Sequence, residues 1–172
     1  MVFYAMSRLY NRELLVEKRQ RWKEEGKCVV MTNGCFDVLH PGHIRLLEQA
    51  RSLGDILILA LNSDSSVRRL KGPGRPVYSE SDRAKVALQL EAVDAVIMFN
   101  EDTPRELIAA VMPDVLVKGA DWTHFVAGRE EVEAGGGRVV TLPLEVGYST
   151  TNVIDEVLRR HAAIPESSAD RS

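Results

Sequence analysis

The chain has 172 residues, enough for a single domain with a substantial core. Its 22 basic and 25 acidic residues give a formal net charge of −3, so binding to nucleic acid or to a membrane surface is not expected. No signal peptide or membrane-length apolar run is evident, and Cys28 and Cys35 lack C-x-x-C spacing. These features predict a cytoplasmic protein with reduced thiols.

Strand and helix patterns alternate along most of the chain. At 11–25, Leu14, Leu15, Lys18 and Trp22 lie near helical spacing among charged residues, which predicts an amphipathic helix, whereas the first ten residues are expected to be loose. Apolar runs of strand length follow at 27–32, 55–61, 94–99, 114–117 and 138–142. Helices are predicted at 41–53, 65–70, 80–90, 103–111, 125–134 and 149–160.

This alternation predicts a Rossmann-like, doubly wound α/β domain with a five-stranded parallel sheet flanked by helices. We assign 1–26 to an N-terminal extension whose helix packs on the domain, 27–161 to the domain itself, and 162–172 to a disordered tail. No linker or internal repeat divides the chain, so one domain is expected.

The stretch MTNGCFDVLHPGH, residues 31–43, is the most informative part of the sequence. It begins where the first apolar run gives way to the small residues Thr32, Asn33 and Gly34. A glycine there lets the backbone approach a ligand closely and offer its N–H groups. The turn is therefore a candidate phosphate cradle.

Two histidines open the helix that follows. Pro41 suits a first helical turn, and His40 and His43 are three residues apart, so both imidazoles are expected on one face at the positive end of the helix. Gly42 leaves room between them for an incoming anion. The alternatives are that the histidines are solvated, cap the helix, or bind zinc, although no third zinc ligand is evident nearby.

Further candidate positions lie at the ends of later elements. Asp64 either caps a helix or approaches substrate at the end of a strand. Residues 71–76, rich in glycine and proline and including Lys71, are either a solvated basic loop or a flap that closes over a triphosphate. Arg83 lies in a first helical turn, where a cation is disfavoured unless an anion is near, which makes it a candidate phosphate ligand.

Two more polar groups follow the fourth and fifth strands. Lys118, Gly119 and Asp121 would suit contacts to a base, a ribose or a metal, although ordinary turn chemistry explains the glycine and the aspartate equally well. Ser149 and Thr150 begin the last helix, where they are expected to form a second anion site and to cap the helix.

In order along residues 27 to about 158, the motifs TNGCFDVLHPGH, LNSDSSVRRLKGPGRPV, EDTPRELI, DVLVKGADW and GYSTTNVI resemble the D-glycero-β-D-manno-heptose 1-phosphate adenylyltransferases. These belong to the cytidylyltransferase-like nucleotidyltransferases. The resemblance implies transfer of AMP from ATP to a sugar 1-phosphate, yielding ADP-heptose and pyrophosphate for lipopolysaccharide core or related glycans. It also implies Mg²⁺ bound with ATP, a homodimer, and a separate heptose kinase in the pathway.

The resemblance also assigns roles to individual residues. His40, His43 and Lys71 would be catalytic, the histidines acting at the α-phosphate and the bridging oxygen and the lysine reaching the phosphates from the flap. Asp37 and Asp64 would contact substrate, and no residue is assigned as a metal ligand. Pattern and resemblance together give these further nucleotide and phosphate contacts: Thr32, Asn33, Gly34, Phe36, Gly42, Arg83, Lys118, Gly119, Asp121, Ser149 and Thr150.

One departure bears on the nucleotide. Glycerol-type cytidylyltransferases carry an arginine–threonine pair shortly before their glycine and serine–threonine run, whereas residues 144–147 here read LEVG. This difference disfavours a cytidine nucleotide with a simple alditol phosphate. The alternatives are a cytidylyltransferase acting on glycerol 3-phosphate or a similar ester, and a nucleotide-binding module without catalysis.

Overall fold

A computed structural model of the chain describes residues 7–119, 126–143, 145 and 147–162. Its strands are β1 (Leu9–Tyr10), β2 (Val29–Gly34), β3 (Ile56–Asn62), β4 (Ala95–Phe99), β5 (Val115–Gly119) and β6 (Arg138–Leu142). Its helices are α1 (Arg12–Glu24), α2 (Pro41–Arg51), α3 (Asp64–Lys71), α4 (Glu80–Ala87), α5 (Arg105–Val111), α6 (Arg129–Ala134) and α7 (Thr150–Ala162). None of the described helices is long and apolar enough to span a bilayer.

The strands form one parallel sheet in the order β1-β4-β3-β2-β5-β6. The predicted α/β class and parallel sheet are confirmed, with six strands instead of five. The additional strand is β1, which lies within the part expected to be loose and pairs with Val96 and Ile97 of β4. The side chain of Arg8 fastens it by donating to the carbonyl of Val93 at 2.8 Å. A two-residue edge strand has too few side chains to show a period in the sequence.

Two apolar layers cover the sheet, one on each face. Residues of α1, α5 and α6 pack on one face, and residues of α2 and α4 pack on the other. Neighbours along β2 divide between these layers: Met31 belongs to the first and Val30 to the second. The four central strands, β2 to β5, are mostly buried on both sides, which explains why their sequences are continuously apolar instead of alternating.

The buried face of α1 differs from the expected one. Leu15 and Trp22 are buried as expected, but Leu14 is 52% exposed, and the stripe is completed by Arg19. The guanidinium of Arg19 pairs with Asp114 at 2.8 Å and donates to the carbonyl of Met112 at 3.1 Å. A charged residue can therefore occupy the inner face of this helix, because a carboxylate and a carbonyl of a turn distant in sequence satisfy its guanidinium.

Two helices begin later than the sequence predicts. We expected a helix from 103 capped by Thr103, but α5 begins at Arg105 after Pro104, without a side-chain cap. The helix expected from 125 begins at Arg129, and residues 120–125 lie outside the described part. Gly128 explains the second difference: its φ of +86° is not helical, and a Cβ there would lie 2.6 Å from Cγ2 of Ile108.

We expect Gly54→Ala to destabilise the fold by about 1 to 3 kcal/mol, because the added methyl has no room. It would lie 2.7 Å from the carbonyl oxygen of Cys28 and 2.7 Å from Cγ2 of Val30. Urea unfolding followed by circular dichroism measures the change. The matched control is Gly74→Ala, whose methyl would have no atom within 4 Å and should change stability by less than about 0.5 kcal/mol or slightly raise it. Equal stabilities of the two variants would contradict this account.

Candidate active site

The carboxyl ends of β2 and β5 lie side by side at the point where the strand order reverses, which is the position of the binding crevice in open α/β sheets. Strands β3, β4 and β1 lie on one side of β2, and β5 and β6 lie on the other. Open α/β sheets bind their ligands at such a point. Lys118 at the end of β5 donates to the side-chain oxygen of Asn33 at the end of β2. Two predicted nucleotide contacts therefore meet across this crevice, and Gly119 ends β5 beside them.

The hydroxyl of Thr32 serves the sheet itself. It is buried and donates to the carbonyl of Val117 at 3.1 Å, linking β2 to β5 below the crevice. The turn above it bends sharply: Phe36 has a φ of +43°, a conformation that non-glycine residues rarely adopt. Its ring folds back onto the strand end, where a Cβ at Gly34 would lie 3.0 Å from Cε2 of Phe36. Gly34 thus allows the turn that brings the next residues over the crevice.

The two predicted catalytic histidines stack on each other at the start of α2. Their ring centroids are 3.7 Å apart with 19° between the planes, and the ring of Phe36 lies 4.8 Å from that of His43. His40 is the N-cap of α2, and its Nδ1 accepts a hydrogen bond from the backbone N–H of His43 at 3.3 Å. In the neutral ring Nε2 then carries the hydrogen, so Nε2 is the atom that can donate to a phosphate.

The histidines are held in the neutral form. Burial lowers the pKa of His43 to about 4, with a further contribution from His40 and a small opposing one from Asp37. Burial also lowers the pKa of His40. Nδ1 of His43 is buried and has no hydrogen-bond partner among the described residues. A buried polar atom without a partner is uncommon and often marks a functional site.

The start of α7 lies against the start of α2. Thr150 is nearly buried and its hydroxyl donates to the carbonyl of Val38 at 3.4 Å, while Ser149 Oγ accepts from the N–H of Asn152 at 3.0 Å. The predicted capping by Ser149 is therefore observed. Two positive helix ends consequently lie side by side, an arrangement suited to a polyanion.

Tyr148 belongs to this junction although no sequence pattern points to it. Its ring lies parallel to that of His40 with centroids 6.2 Å apart. A Cβ at Gly42 would lie 3.1 Å from Cβ of Tyr148 and 3.1 Å from Nδ1 of His40. Gly42 thus makes the close approach of α2 and α7 possible. A single tyrosine in a loop carries no periodic signal that would have revealed this contact.

Arg83 and Asp64 are placed in contact with each other. Arg83 is 3% exposed and pairs with the Asp64 carboxylate at 2.8 Å. It also donates to the carbonyls of Cys35 at 2.7 Å, Asn62 at 2.8 Å and Tyr78 at 3.1 Å. A cation in a first helical turn was expected to have an anion nearby, and that anion is the carboxylate of Asp64. The guanidinium ties together the turn after β2, the end of β3 and the residues before α4.

Asp37 is directed towards the residues that end the flap. Its side chain is fully buried and accepts from Nε of Arg75 at 2.6 Å and from the backbone N–H groups of Val77 and Tyr78. Burial opposes ionisation, but the N–H groups and the guanidinium outweigh it and hold the pKa of this carboxyl below its ordinary value. Asp37 is therefore an ionised anchor whose oxygens are bound within the protein.

The other predicted positions are less constrained. Lys71 ends α3, is exposed, and is close enough to Cys35 for its charge to lower the pKa of that thiol, although burial raises it more. Asp121 lies outside the described residues, as do Leu144 and Val146 of the LEVG segment. Within the described part of the chain, no group of three or more His, Cys, Asp or Glu residues could hold a metal ion.

Comparison with known proteins agrees with this fold. The family model described as cytidylyltransferase-like matches residues 31–156, so the chain belongs to the cytidylyltransferase-like family. The prediction of a nucleotidyltransferase is thereby confirmed at the level of the family. The matched range contains the histidine pair, the flap and the start of α7.

Individual relatives are similar over most of this chain. The bifunctional protein HldE of Pelobacter propionicus is 51% identical over 157 residues, covering 91% of this chain and 32% of that protein. HldE of Mesorhizobium japonicum is 58% identical over 137 residues, covering 79% and 28%. The chain thus spans about a third of the length of these curated relatives.

Solved structures give the same fold. A lipopolysaccharide core biosynthesis protein from Thermoplasma volcanium has a TM-score of 0.58 and 29% identity, covering 70% of this chain and 98% of that chain. Pantoate-beta-alanine ligase from Francisella tularensis has a TM-score of 0.56, covering 88% and 78%, and at 13% identity it bears on the fold alone.

We expect the His43 imidazole to remain neutral from pH 8 to pH 5 and to gain its proton only near pH 4. Added ATP or pyrophosphate should raise this pKa, because a bound anion stabilises the charged ring. Nitrogen chemical shifts of the imidazole, measured by NMR across the pH range, report both effects. Sodium chloride at equal ionic strength is the control and should leave the pKa unchanged. Titration near 6.5 without ligand would contradict the burial argument.

Proposed function

We propose that the chain transfers AMP from ATP to D-glycero-β-D-manno-heptose 1-phosphate, giving ADP-heptose and pyrophosphate for a lipopolysaccharide core or related glycan. The observation that carries this proposal is the stacked pair His40 and His43 at the junction of two helix N-termini. Two relatives support it: a protein named HldE at 51% identity, and the Thermoplasma volcanium protein that is described as acting in lipopolysaccharide core biosynthesis.

The chemistry asks for alignment and charge stabilisation. A phosphate oxygen of the sugar 1-phosphate attacks the α-phosphorus of ATP, and the bond to the bridging oxygen breaks as pyrophosphate leaves. This nucleophile is already anionic, so no serine, cysteine or strong base is required. Nε2–H of His40 would donate to the α-phosphate, and His43 would meet the bridging oxygen. Backbone N–H groups at the starts of α2 and α7 would hold the remaining phosphate oxygens.

A divalent cation, Mg²⁺ in this proposal, completes the site. When bound it neutralises charge on the phosphates and on the departing pyrophosphate. Mg²⁺ in nucleotide enzymes takes most of its protein-side support from one or two carboxylates and relies on substrate phosphates and water.

The proposal includes a homodimer that acts in the cytoplasm. Val157 and Leu158 of α7 are 60% and 62% exposed. The proposal of a dimer rests on the family resemblance, and size-exclusion chromatography with light scattering tests it.

The nucleotide and the acceptor are tested by pyrophosphate release. We expect release with Mg²⁺, ATP and D-glycero-β-D-manno-heptose 1-phosphate, and no release when CTP replaces ATP. Glycerol 3-phosphate is the control acceptor and should be inactive with either nucleotide. Release from CTP and glycerol 3-phosphate would establish the competing cytidylyltransferase. Nucleotide binding without release from any combination would instead indicate a non-catalytic module.

We expect His43→Ala to lower kcat by a factor of about a hundred or more, the typical effect of losing one transition-state donor. Steady-state pyrophosphate release measures this change. The control is His161→Ala, which alters an exposed histidine in the last turn of α7 and should leave kcat unchanged. Full activity of the His43 variant would contradict the assignment of this pair as catalytic.

A further inference from the structure

We propose that Asp37 is a positioning residue that fastens the end of the flap to the turn after β2 and thereby fixes where Lys71 meets the nucleotide phosphates. The inference rests on the proposed function in one respect: it takes Lys71 as a phosphate ligand. The sequence resemblance implied that Asp37 contacts substrate directly. The inference instead assigns Asp37 a role in positioning the flap.

The contacts of Asp37 form a closed set. One carboxylate oxygen accepts from Nε of Arg75 at 2.6 Å and from Val77 N–H at 2.8 Å, and the other accepts from Tyr78 N–H at 2.9 Å. The side chain is fully buried. In the part of the chain that the structure describes, the Val77 and Tyr78 amides have no other acceptor. The backbone conformation at Val77 and Tyr78 therefore depends on this one carboxylate.

The first half of the flap is open, in contrast to its fastened end. A Cβ at Gly72 or Gly74 would have no atom within 4 Å, and Gly72 has a φ of +94°. Lys71 and Gly74 are exposed. Residues 72–74, which follow the end of α3, thus lack packing neighbours, while the residues from Arg75 onward are held on the turn. Asp37 thereby limits the unfastened part of the flap to the few residues between the end of α3 and Arg75.

The fastened end also faces the site. Asp37 follows Phe36 in the turn over the crevice, and the ammonium of Lys71 lies near enough to Cys35 in the same turn to influence the pKa of its thiol. The same short turn therefore carries the carboxylate and senses the charge of the lysine. Releasing the carboxylate would lengthen the unfastened segment that follows Lys71 and make the ordering of the flap over phosphates more costly in conformational entropy.

A double-mutant cycle tests whether Asp37 acts through Lys71. We expect Asp37→Asn to weaken Mg²⁺-dependent ATP binding, measured by titration calorimetry, by about tenfold in the otherwise unchanged protein. In the Lys71→Ala background the same substitution should change affinity by less than about threefold. Independent, multiplicative effects would overturn the proposal and favour direct substrate contact. The control is Asp102→Asn, which removes an exposed carboxylate paired with Arg69 and should leave affinity unchanged.

Amide exchange gives a readout that does not depend on activity. In Asp37→Asn the Val77 and Tyr78 amides should exchange with solvent at least about tenfold faster, while the Leu59 amide in the buried centre of β3 should keep its protection. Unchanged exchange at the two amides would overturn the proposal. Should this variant fail to fold, Arg75→Met keeps both amide contacts and removes only the ion pair. Its effect on ATP affinity must then disappear in the Lys71→Ala background.

The experiments separate this inference from the proposed function. If the unchanged protein binds ATP but releases no pyrophosphate with the heptose phosphate, the proposed reaction fails, and the affinity cycle still decides the role of Asp37. If it binds CTP in place of ATP, the cycle is measured with CTP. If it binds neither nucleotide, Lys71 serves no phosphate site and the inference is overturned.

Discussion

The site depends on two buried charges, Arg83 and Asp37, that hold the carboxyl edge of the sheet in shape. Removing an ion from water costs several kcal/mol unless it is paired and fully hydrogen-bonded. Both requirements are met: Arg83 reaches Asp64 and three backbone carbonyls, and Asp37 reaches Arg75 and two backbone N–H groups. Because most of their partners are backbone atoms, these two side chains fix the path of the backbone as well as the side chains with which they pair.

This scaffold makes the strained turn at Phe36 tenable. A φ of +43° costs a phenylalanine free energy of order 1 to 3 kcal/mol, and it persists only where the surroundings over-determine the backbone. The residue before Phe36 offers its carbonyl to Arg83, and the residue after it is Asp37. The turn is thus held on both sides, which aligns the start of α2 and the stacked histidines with the crevice.

Most of the fold could be predicted from the sequence, because burial on both faces of a parallel sheet makes each strand a continuous apolar run. The histidine pair could also be predicted from the sequence, since its spacing places both rings at one helix end. What could not be predicted depends on distant partners. Arg19 can be buried because it pairs with Asp114, which is 95 residues further along the chain. Asp37 likewise accepts hydrogen bonds from residues 38 to 41 positions further along. A periodic pattern contains no information about such pairings.

The charges around the site explain how a protein of net charge −3 could handle a triphosphate. Arg75 and Arg83 are paired with carboxylates, Lys118 contacts Asn33, and the lowered pKa values of the histidines leave them neutral at pH 7. The permanent attraction of the turn for anions then comes mainly from helix ends and oriented N–H groups, which are short-ranged and directional. On the proposed function, full positive charge would come from Lys71 on the flap, and the neutral histidines would contribute N–H donors. Such a site responds to the geometry of a bound nucleotide more than to its charge alone.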